Sequence, residues 1–278
     1  MNIQRISAFS QDETGGNPAG VVIGEQMPPV PDMQAIAAQV GYSETAFAEP
    51  HQTGGWRVRY FSPQSEVPFC GHATIALGVA LTRQFGAGTY RLHLNEAEIS
   101  VEGSKSEGKF YAALQSPPTR SAQASSEVTE EVLELFGYTI DDIDKRIPPA
   151  LVHGGADHFA LVVNSRETLA RMTYDLEKGK DLMNKHSWVT ILVAYVEDQQ
   201  TFHTRNAFAS GGVLEDPATG ASTAAFAGYL RDIGWHHANA IEIKQGFDMG
   251  SPSLLSASIP DEPGSSIRVS GAARLLAG

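Results

Sequence analysis

A chain of 278 residues, 42% of them hydrophobic, is long enough for two domains with cores of their own. The net charge of −12 argues against nucleic acid or an anionic membrane as partner, and the apolar stretches are too short to span a bilayer. One cysteine excludes an internal disulfide, and Met1-Asn2-Ile3-Gln4-Arg5 leads into polar sequence without a signal-peptide core, so a cytoplasmic protein directed at small molecules is expected.

In chain order, Gln4–Ser10 reads as a strand, residues 12–20 as a turn cluster and Val21–Ile23 as a second strand. Pro31-Asp32 opens a helix whose apolar face is Met33, Ile36, Ala37 and Val40, stopped by Gly41. Strands follow at Ser43–Ala48 and Trp56–Phe61, then an apolar helix at Ala73–Arg83, then strands at Thr89–Leu94, Glu98–Val101 and Phe110–Leu114. Residues 116–126, rich in Pro, Ser and small side chains, read as a linker. Beyond them come a helix at Glu127–Phe136, strands near Ala150–His153 and His158–Val163, and a helix near Arg166–Asp175. Strands at Trp188–Tyr195 and Thr201–Arg205 lead to a second apolar helix, Ser222–Arg231. A helix that is apolar on most faces must be wrapped on most sides. Each half therefore reads as a curved, antiparallel-rich sheet around its own helix, an α+β arrangement made twice.

Residues 66–81 align without a gap on 215–230, with Glu66/Glu215, Pro68/Pro217, Gly71/Gly220, Thr74/Thr223, Ala76/Ala225 and Leu81/Leu230 identical. Ordinary composition gives about one coincidence in such a window, so the chain reads as two homologous halves. The pairs Val67/Asp216, Cys70/Thr219 and His72/Ala221 differ, which points to one asymmetric site built from two related turns. Each turn ends a strand and starts a helix, whose unpaired backbone N–H groups and dipole favour a carboxylate or a developing enolate. Pro and Gly alone would also shape such a connection; the repetition with polar residues inside it favours the anion cradle.

His72 at a helix start is expected to be neutral and able to donate to or accept from a substrate, and Asp216 would fix its tautomer if the two met across a cleft. Each also has a structural use, as a satisfied histidine or as a turn acid. Cys70 stands where a helix N-terminus activates a thiol, or is a small buried apolar residue. Its counterpart Thr219 is no base, so a two-thiol racemase is excluded. Glu44, in a weakly polar strand just beyond a helix end, is the candidate general acid–base. The nine histidines show no metal-ligand spacing, and there is no P-loop, dinucleotide fingerprint or Gly-x-Ser-x-Gly elbow, so neither metal nor cofactor is expected.

The phrases Gly16-Asn17-Pro18-Ala19-Gly20-Val21, Ser43-Glu44-Thr45-Ala46-Phe47, Arg59-Tyr60-Phe61-Ser62-Pro63, Glu66–Thr74 and Glu215–Gly220 occur in this order, with a weaker echo in Gln245-Gly246 and Gly250-Ser251-Pro252-Ser253. In this the chain resembles the PhzF (phenazine biosynthesis) family, relatives of diaminopimelate epimerase. The resemblance implies two pseudo-symmetric domains, each a β-barrel-like sheet around a central helix, drawn at 1–116 and 117–263 with a tail from about 264 that returns to the first. It implies a homodimer and a cofactor-independent isomerase, as in the conversion of trans-2,3-dihydro-3-hydroxyanthranilate. Glu44 matches the family's acid–base, His72 and Asp216 its His and Asp, and Gly71 and Gly220 its carboxylate-binding glycines. Cys70, Thr219, Ala221 and Ser222 complete the expected substrate contacts. The chain departs from the family at Ala221, where Ser is common, and at Ser251, where Arg is common. A Cys70-dependent epimerase, or a binding protein that kept the fold, are the competing readings.

Overall fold

The computed structural model describes residues 2–95 and 97–277, and these fall into two units, Met1–Gln115 with Ser270–Gly278, and Ser116–Val269. The first begins with β1 (Ile3–Ala8), β2 (Asn17–Ile23), α1 (Val30–Val40), β3 (Glu44–Pro50), β4 (Trp56–Phe61) and the two-residue β5 (Glu66–Val67). Then come α2 (Gly71–Phe85), β6 (Gly88–His93), β7 (Glu98–Ser106) and β8 (Lys109–Pro118). β2 starts earlier than the sequence suggests: Asn17 and Pro18 pair with Ala8 and Ser7 instead of turning, since proline is tolerated at the first positions of a strand. β1–β2, β3–β4, β4–β5, β6–β7 and β7–β8 are antiparallel, whereas β2–β3 and β4–β6 are parallel.

The second unit comprises β9 (Arg120–Gln123), α3 (Ser126–Phe136), β10 (Ala150–His153), β11 (Asp157–Val163), α4 (Arg166–Ala170), α5 (Leu176–His186), β12 (Thr190–Val196) and β13 (Thr201–Ala207). It continues through β14 (Glu215–Asp216), α6 (Gly220–Asp232), β15 (Ala240–Gln245) and β16 (Ser253–Ser258). Its pairing repeats that of the first. β10–β11, β12–β13, β13–β14 and β15–β16 are antiparallel, and β11–β12 and β13–β15 parallel. The last strand, β17 (Ser266–Leu275), pairs its C-terminal residues with β1, Ile6 opposite Leu275, and also pairs with β8. The eight strands β1, β2, β3, β4, β6, β7, β8 and β17 thus close around α2.

Each central helix is wrapped as its composition demands. Residues 71–82 of α2 are all buried, against β1, β2, β3, β6 and β7. Burying Ile75, Leu77, Val79 and Leu81 contributes roughly 6–12 kcal/mol. In α6 every residue but Ala221 and Asp232 is buried, against β9, β10, β11 and β16. The approach is close: a Cβ on Gly103 of β7 would stand 1.7 Å from Thr82 Oγ1 and 2.8 Å from the Gly78 carbonyl of α2. Further layers cover the sheets, α1 placing Met33 and Ala37 on Val22, Phe47 and Phe61. In the second unit Val132 and Phe136 of α3 and Met183 of α5 lie in one cluster with Phe159, Trp188 and Ile191.

Two expectations fail. Residues 116–126 are no linker: residues 120–123 are β9, paired antiparallel with β10, and Ser125 caps α3. Ser116 and Thr119 are buried, and their polar groups are used, Ile267 N–H donating to Ser116 Oγ and Thr119 N–H to the Gly264 carbonyl. Strand pairing here overrides a Pro/Ser composition. The helix expected at 166–175 is the single short α4, and Asp175, taken for its end, is the N-cap of α5, accepting from Lys178 N–H. Strands β15, β16 and β17 add to the elements read from sequence. No helix among the described residues is long and apolar enough to cross a membrane.

Candidate active site

Parallel pairing of β2 with β3 sets Ala19 opposite Glu44 and buries the Glu44 side chain at the start of β3. Its Oε2 lies 3.3 Å from Nε2 of His72, the second residue of α2. Ser43 Oγ is 3.2 Å from the same nitrogen, and Cys70 Sγ is 3.3 Å from Nδ1 and 3.9 Å from Nε2. The hydrogen bonds of the imidazole are with Ser43 Oγ at Nε2 and with the thiol at Nδ1, and the tautomer sets which of them donates. A thiol, an imidazole and a carboxylate, all buried, thus stand side by side. Their ligand atoms lie within 4.8 Å of one another, a donor cluster that histidine spacing along the sequence does not reveal.

The turn beneath is braced from β4. Tyr60 is fully buried, and its hydroxyl lies 2.7 Å from Thr74 Oγ1, which donates in turn to the Cys70 carbonyl at 2.7 Å. Burial pushes the Tyr60 phenol well above its usual range, so it stays protonated. Arg59 grips Glu66 through two N–H groups, at 2.7 and 2.5 Å; this hydrogen-bonded partner lowers the Glu66 pKa.

In the second unit Asp216 is buried in β14 opposite Asn206, and its Oδ2 accepts from Thr219 Oγ1 at 2.5 Å. Gln245, fully buried, joins the ends of the turn: its Nε2 donates to the Asp216 carbonyl (2.7 Å) and Thr219 Oγ1 (2.9 Å), and its Oε1 accepts from Thr219 N–H (3.2 Å). The next residue, Gly246, has φ +78°, and a Cβ there would stand 2.2 Å from the Ser251 carbonyl and 2.8 Å from that of Pro217. Only glycine lets the loop after β15 lie this close to the turn. The departure at Ser251 falls in this loop, Ser251 N–H donating to the Gly246 carbonyl.

Ser222 turns inward. It is fully buried and donates to Asn206 Oδ1 at 2.8 Å, which accepts also from Thr190 Oγ1 at 3.1 Å. Since the Thr190 proton goes to Asn206, His158 Nδ1–H donates to Thr190 Oγ1 at 2.8 Å. This is a fixed interior network, so the Ser222 hydroxyl is engaged with the core. Ala221, in contrast, is half-exposed at the first turn of α6.

Pro29 starts α1 without a side-chain cap, with a proline in the first turn, and the other α-helix starts differ among themselves. Ser125, Ser165 and Asp175 cap α3, α4 and α5, each accepting from the backbone N–H three residues on. Cys70 and Thr219, at the cap positions of α2 and α6, make no such bond. The amides at Gly71–Ala73 and Gly220–Ser222 thus lack the side-chain acceptor that α3, α4 and α5 have. Glu44, Cys70 and His72 converge in the first unit, and Asp216 and Thr219 in the second. Sequence reasoning gave no role to Ser43, to Gln245 or to the arginines that clamp the two glutamates; only the family-like phrases around Ser43-Glu44 and Gln245-Gly246 signalled the first two.

Residues 6–278 match the family model described as phenazine biosynthesis-like protein (PhzC-PhzF). A trans-2,3-dihydro-3-hydroxyanthranilate isomerase of Pseudomonas fluorescens is 29% identical over 258 residues, which cover 91% of this chain and 88% of that one. A PhzF-family protein of Bacillus anthracis superposes with a TM-score of 0.85 at 21% identity, over 99% of this chain and 96% of that one. A probable proline racemase of Agrobacterium radiobacter gives 0.67 at 11% identity, over 99% and 90%. Fold and relatives define an enzyme of the isomerase class with the epimerase-like architecture. Within that class, the chain belongs to the phenazine biosynthesis-like (PhzC-PhzF) family.

Proposed function

We propose that the protein is a cofactor-independent isomerase that moves a proton on a small, carboxylate-bearing substrate, with Glu44 as the single acid–base. The observation that carries this reading is the buried Glu44 carboxylate 3.3 Å from His72 Nε2, beside a helix start without a side-chain cap. The carboxylate takes a proton from a carbon made acidic by conjugation and returns it to another carbon on the same face. His72, through Nε2–H, steadies the carboxylate and the charge that accumulates on the substrate, and the amides beginning at Gly71 hold the substrate carboxylate. The substrate class is that of the named relative, of which trans-2,3-dihydro-3-hydroxyanthranilate is the first compound to assay. The reading includes a homodimer working in the cytoplasm, which light scattering and cell fractionation test.

A second reading has one observation in its favour: the Cys70 sulphur lies 3.3 Å from His72 Nδ1, as a thiol base of an epimerase would. Solvent-deuterium exchange separates the two. Incorporation into substrate that disappears in Glu44→Gln and persists in Cys70→Ala supports the carboxylate base. The reverse pattern overturns it in favour of the thiol.

A further inference from the structure

We propose that Cys70, His72 and Glu44 also form a binding site for one borderline-soft divalent cation, of which Zn²⁺ is the type. The three side chains are buried, and they offer the donors zinc prefers: a thiolate, an imidazole nitrogen and a carboxylate oxygen. Zinc bonds of about 2.0–2.3 Å at tetrahedral angles set neighbouring ligand atoms about 3.4–3.6 Å apart. The Nε2–Oε2 separation is 3.3 Å and the Nε2–Sγ separation 3.9 Å. The longest side of the triangle, within 4.8 Å, has to contract by no more than about 1.2 Å, and the sulphur, nearer Nδ1 than Nε2, has to swing to the Nε2 edge of the ring by rotation of the Cys70 side chain.

Charge supports the assignment. A thiolate and a carboxylate sum to −2, so with neutral imidazole the loaded site has no net charge and suits its burial. Binding takes the tautomer of His72 that carries its proton on Nδ1 and leaves Nε2 free to ligate, and it releases one proton net as the thiol becomes a thiolate. Three protein ligands leave a fourth position for water, the pattern of an open zinc site. Mg²⁺ and Ca²⁺, which require mainly oxygen ligands in sixfold or higher coordination, are rejected by a set with one carboxylate. A bound cation also occupies the Nε2 lone pair and the Glu44 carboxylate, and would silence the acid–base. That consequence rests on the proposed function; the binding does not.

Co²⁺ added to the full-length, reduced protein is the direct probe. The expected result is one equivalent bound, with a thiolate-to-cobalt charge-transfer band and tetrahedral d–d absorption, both erased by Zn²⁺. Cys70→Ser abolishes the charge-transfer band and weakens Zn²⁺ binding by about 100-fold or more; Glu44→Gln retains the band and weakens binding by about 10–100-fold. Should Cys70→Ser fail to fold, the wild-type and Glu44→Gln spectra still decide the question. Cobalt binding without the thiolate band, no binding at 100 µM metal, or Zn²⁺ affinity unchanged in both variants overturns the proposal. No substrate is needed, so failure of the isomerase reading and failure of the metal site are observed separately.

Discussion

The turn before α2 and the turn before α6 share their frame and differ in their chemistry. In both, a two-residue strand pairs with the preceding strand, Phe61 opposite Glu66 and Ala207 opposite Glu215. An arginine two residues before that partner grips the glutamate, Arg59 on Glu66 and Arg205 on Glu215. The glutamates that coincide in the sequence repeat are therefore brackets, with their charge committed to the fold. The residues opposite one another a step further along have diverged: Tyr60 faces Val67 in the first unit, Asn206 faces Asp216 in the second. Tyr60 reaches Thr74; the shorter Asn206 reaches Ser222 instead, and Thr223, the counterpart of Thr74, is left buried with no hydrogen-bond partner for its hydroxyl. Duplication conserved what holds the turn, and freed the positions between for Cys70 and His72 on one side and Asp216 and Thr219 on the other.

The largest effect expected tests whether the two turns have truly parted in role. Glu44→Gln keeps the shape and a polar group near His72 but removes the base, and should lower kcat by about 10²–10⁴-fold with the fold intact by circular dichroism. Retention of wild-type turnover would remove Glu44 from the chemistry. Next comes an asymmetry in acid. His158, fully buried in the second unit, has its pKa lowered from 6.5 to about 3, chiefly by burial. Its Nε2 has no partner, so a proton added there has nowhere to donate. The unfolded chain takes up this proton near pH 6.5 and the folded one only near 3, so stability falls as pH drops through that window, by about 1.4 kcal/mol per unit where the difference is full. Urea unfolding from pH 7 to 4 should show this slope in the wild type and lose it in His158→Gln. An unchanged slope would mean that the histidine is not the group responsible.

The duplication was readable because residues 66–81 and 215–230 align without a gap, and the apolar character of both central helices foretold their wrapping. The arginine brackets were not readable. Four residues, 62–65, separate β4 from β5, whereas seven, 208–214, separate β13 from β14, so Arg59 and Arg205 fall out of the common offset. Helix α5 was hidden because Gly179 is its fourth residue and few of its residues are apolar. That glycine is required by packing, since a Cβ would stand 2.4 Å from the Tyr174 ring. The line from Glu44 to His72 to Cys70 spans a gap of 25 residues between positions 44 and 70. Only the pairing of β3 beside β2 and the wrapping of α2 bring it together. Local pattern gave each residue a candidate role, and none of their distances.

The brackets offer a graded comparison. Arg205 and Glu215 have side chains 12% and 6% exposed, against 21% and 26% for Arg59 and Glu66. Glu215→Leu leaves a largely buried guanidinium with only the carbonyls of Ala170 and Met172, each at 3.0 Å, as close partners, and should cost about 3 kcal/mol. Glu66→Leu, beside better-hydrated Arg59, should cost about 1 kcal/mol. Equal losses in urea unfolding would show that the two brackets are energetically equivalent despite their burial.

The smallest effect concerns the brace that the second unit has replaced. Tyr60→Phe keeps the ring, including its edge-to-face contact with Phe69 at 6.4 Å between centroids, and deletes only the hydroxyl bonded to Thr74. Thr74 Oγ1 still donates to the Cys70 carbonyl, so no buried donor is stranded, and the expected cost is about 1 kcal/mol in urea unfolding. The more telling measurement is the Co²⁺ spectrum of the same variant. If the Tyr60–Thr74 bond serves only the helix start, the thiolate band is unchanged. If it also fixes the turn that carries Cys70, the band shifts although Tyr60 is not one of the three ligands. Asn206, in the corresponding place of the second unit, makes no such bond: its amide oxygen accepts from Thr190 and Ser222, and its Nδ2 has no partner. The aromatic brace therefore belongs to the turn that holds the thiol and the imidazole.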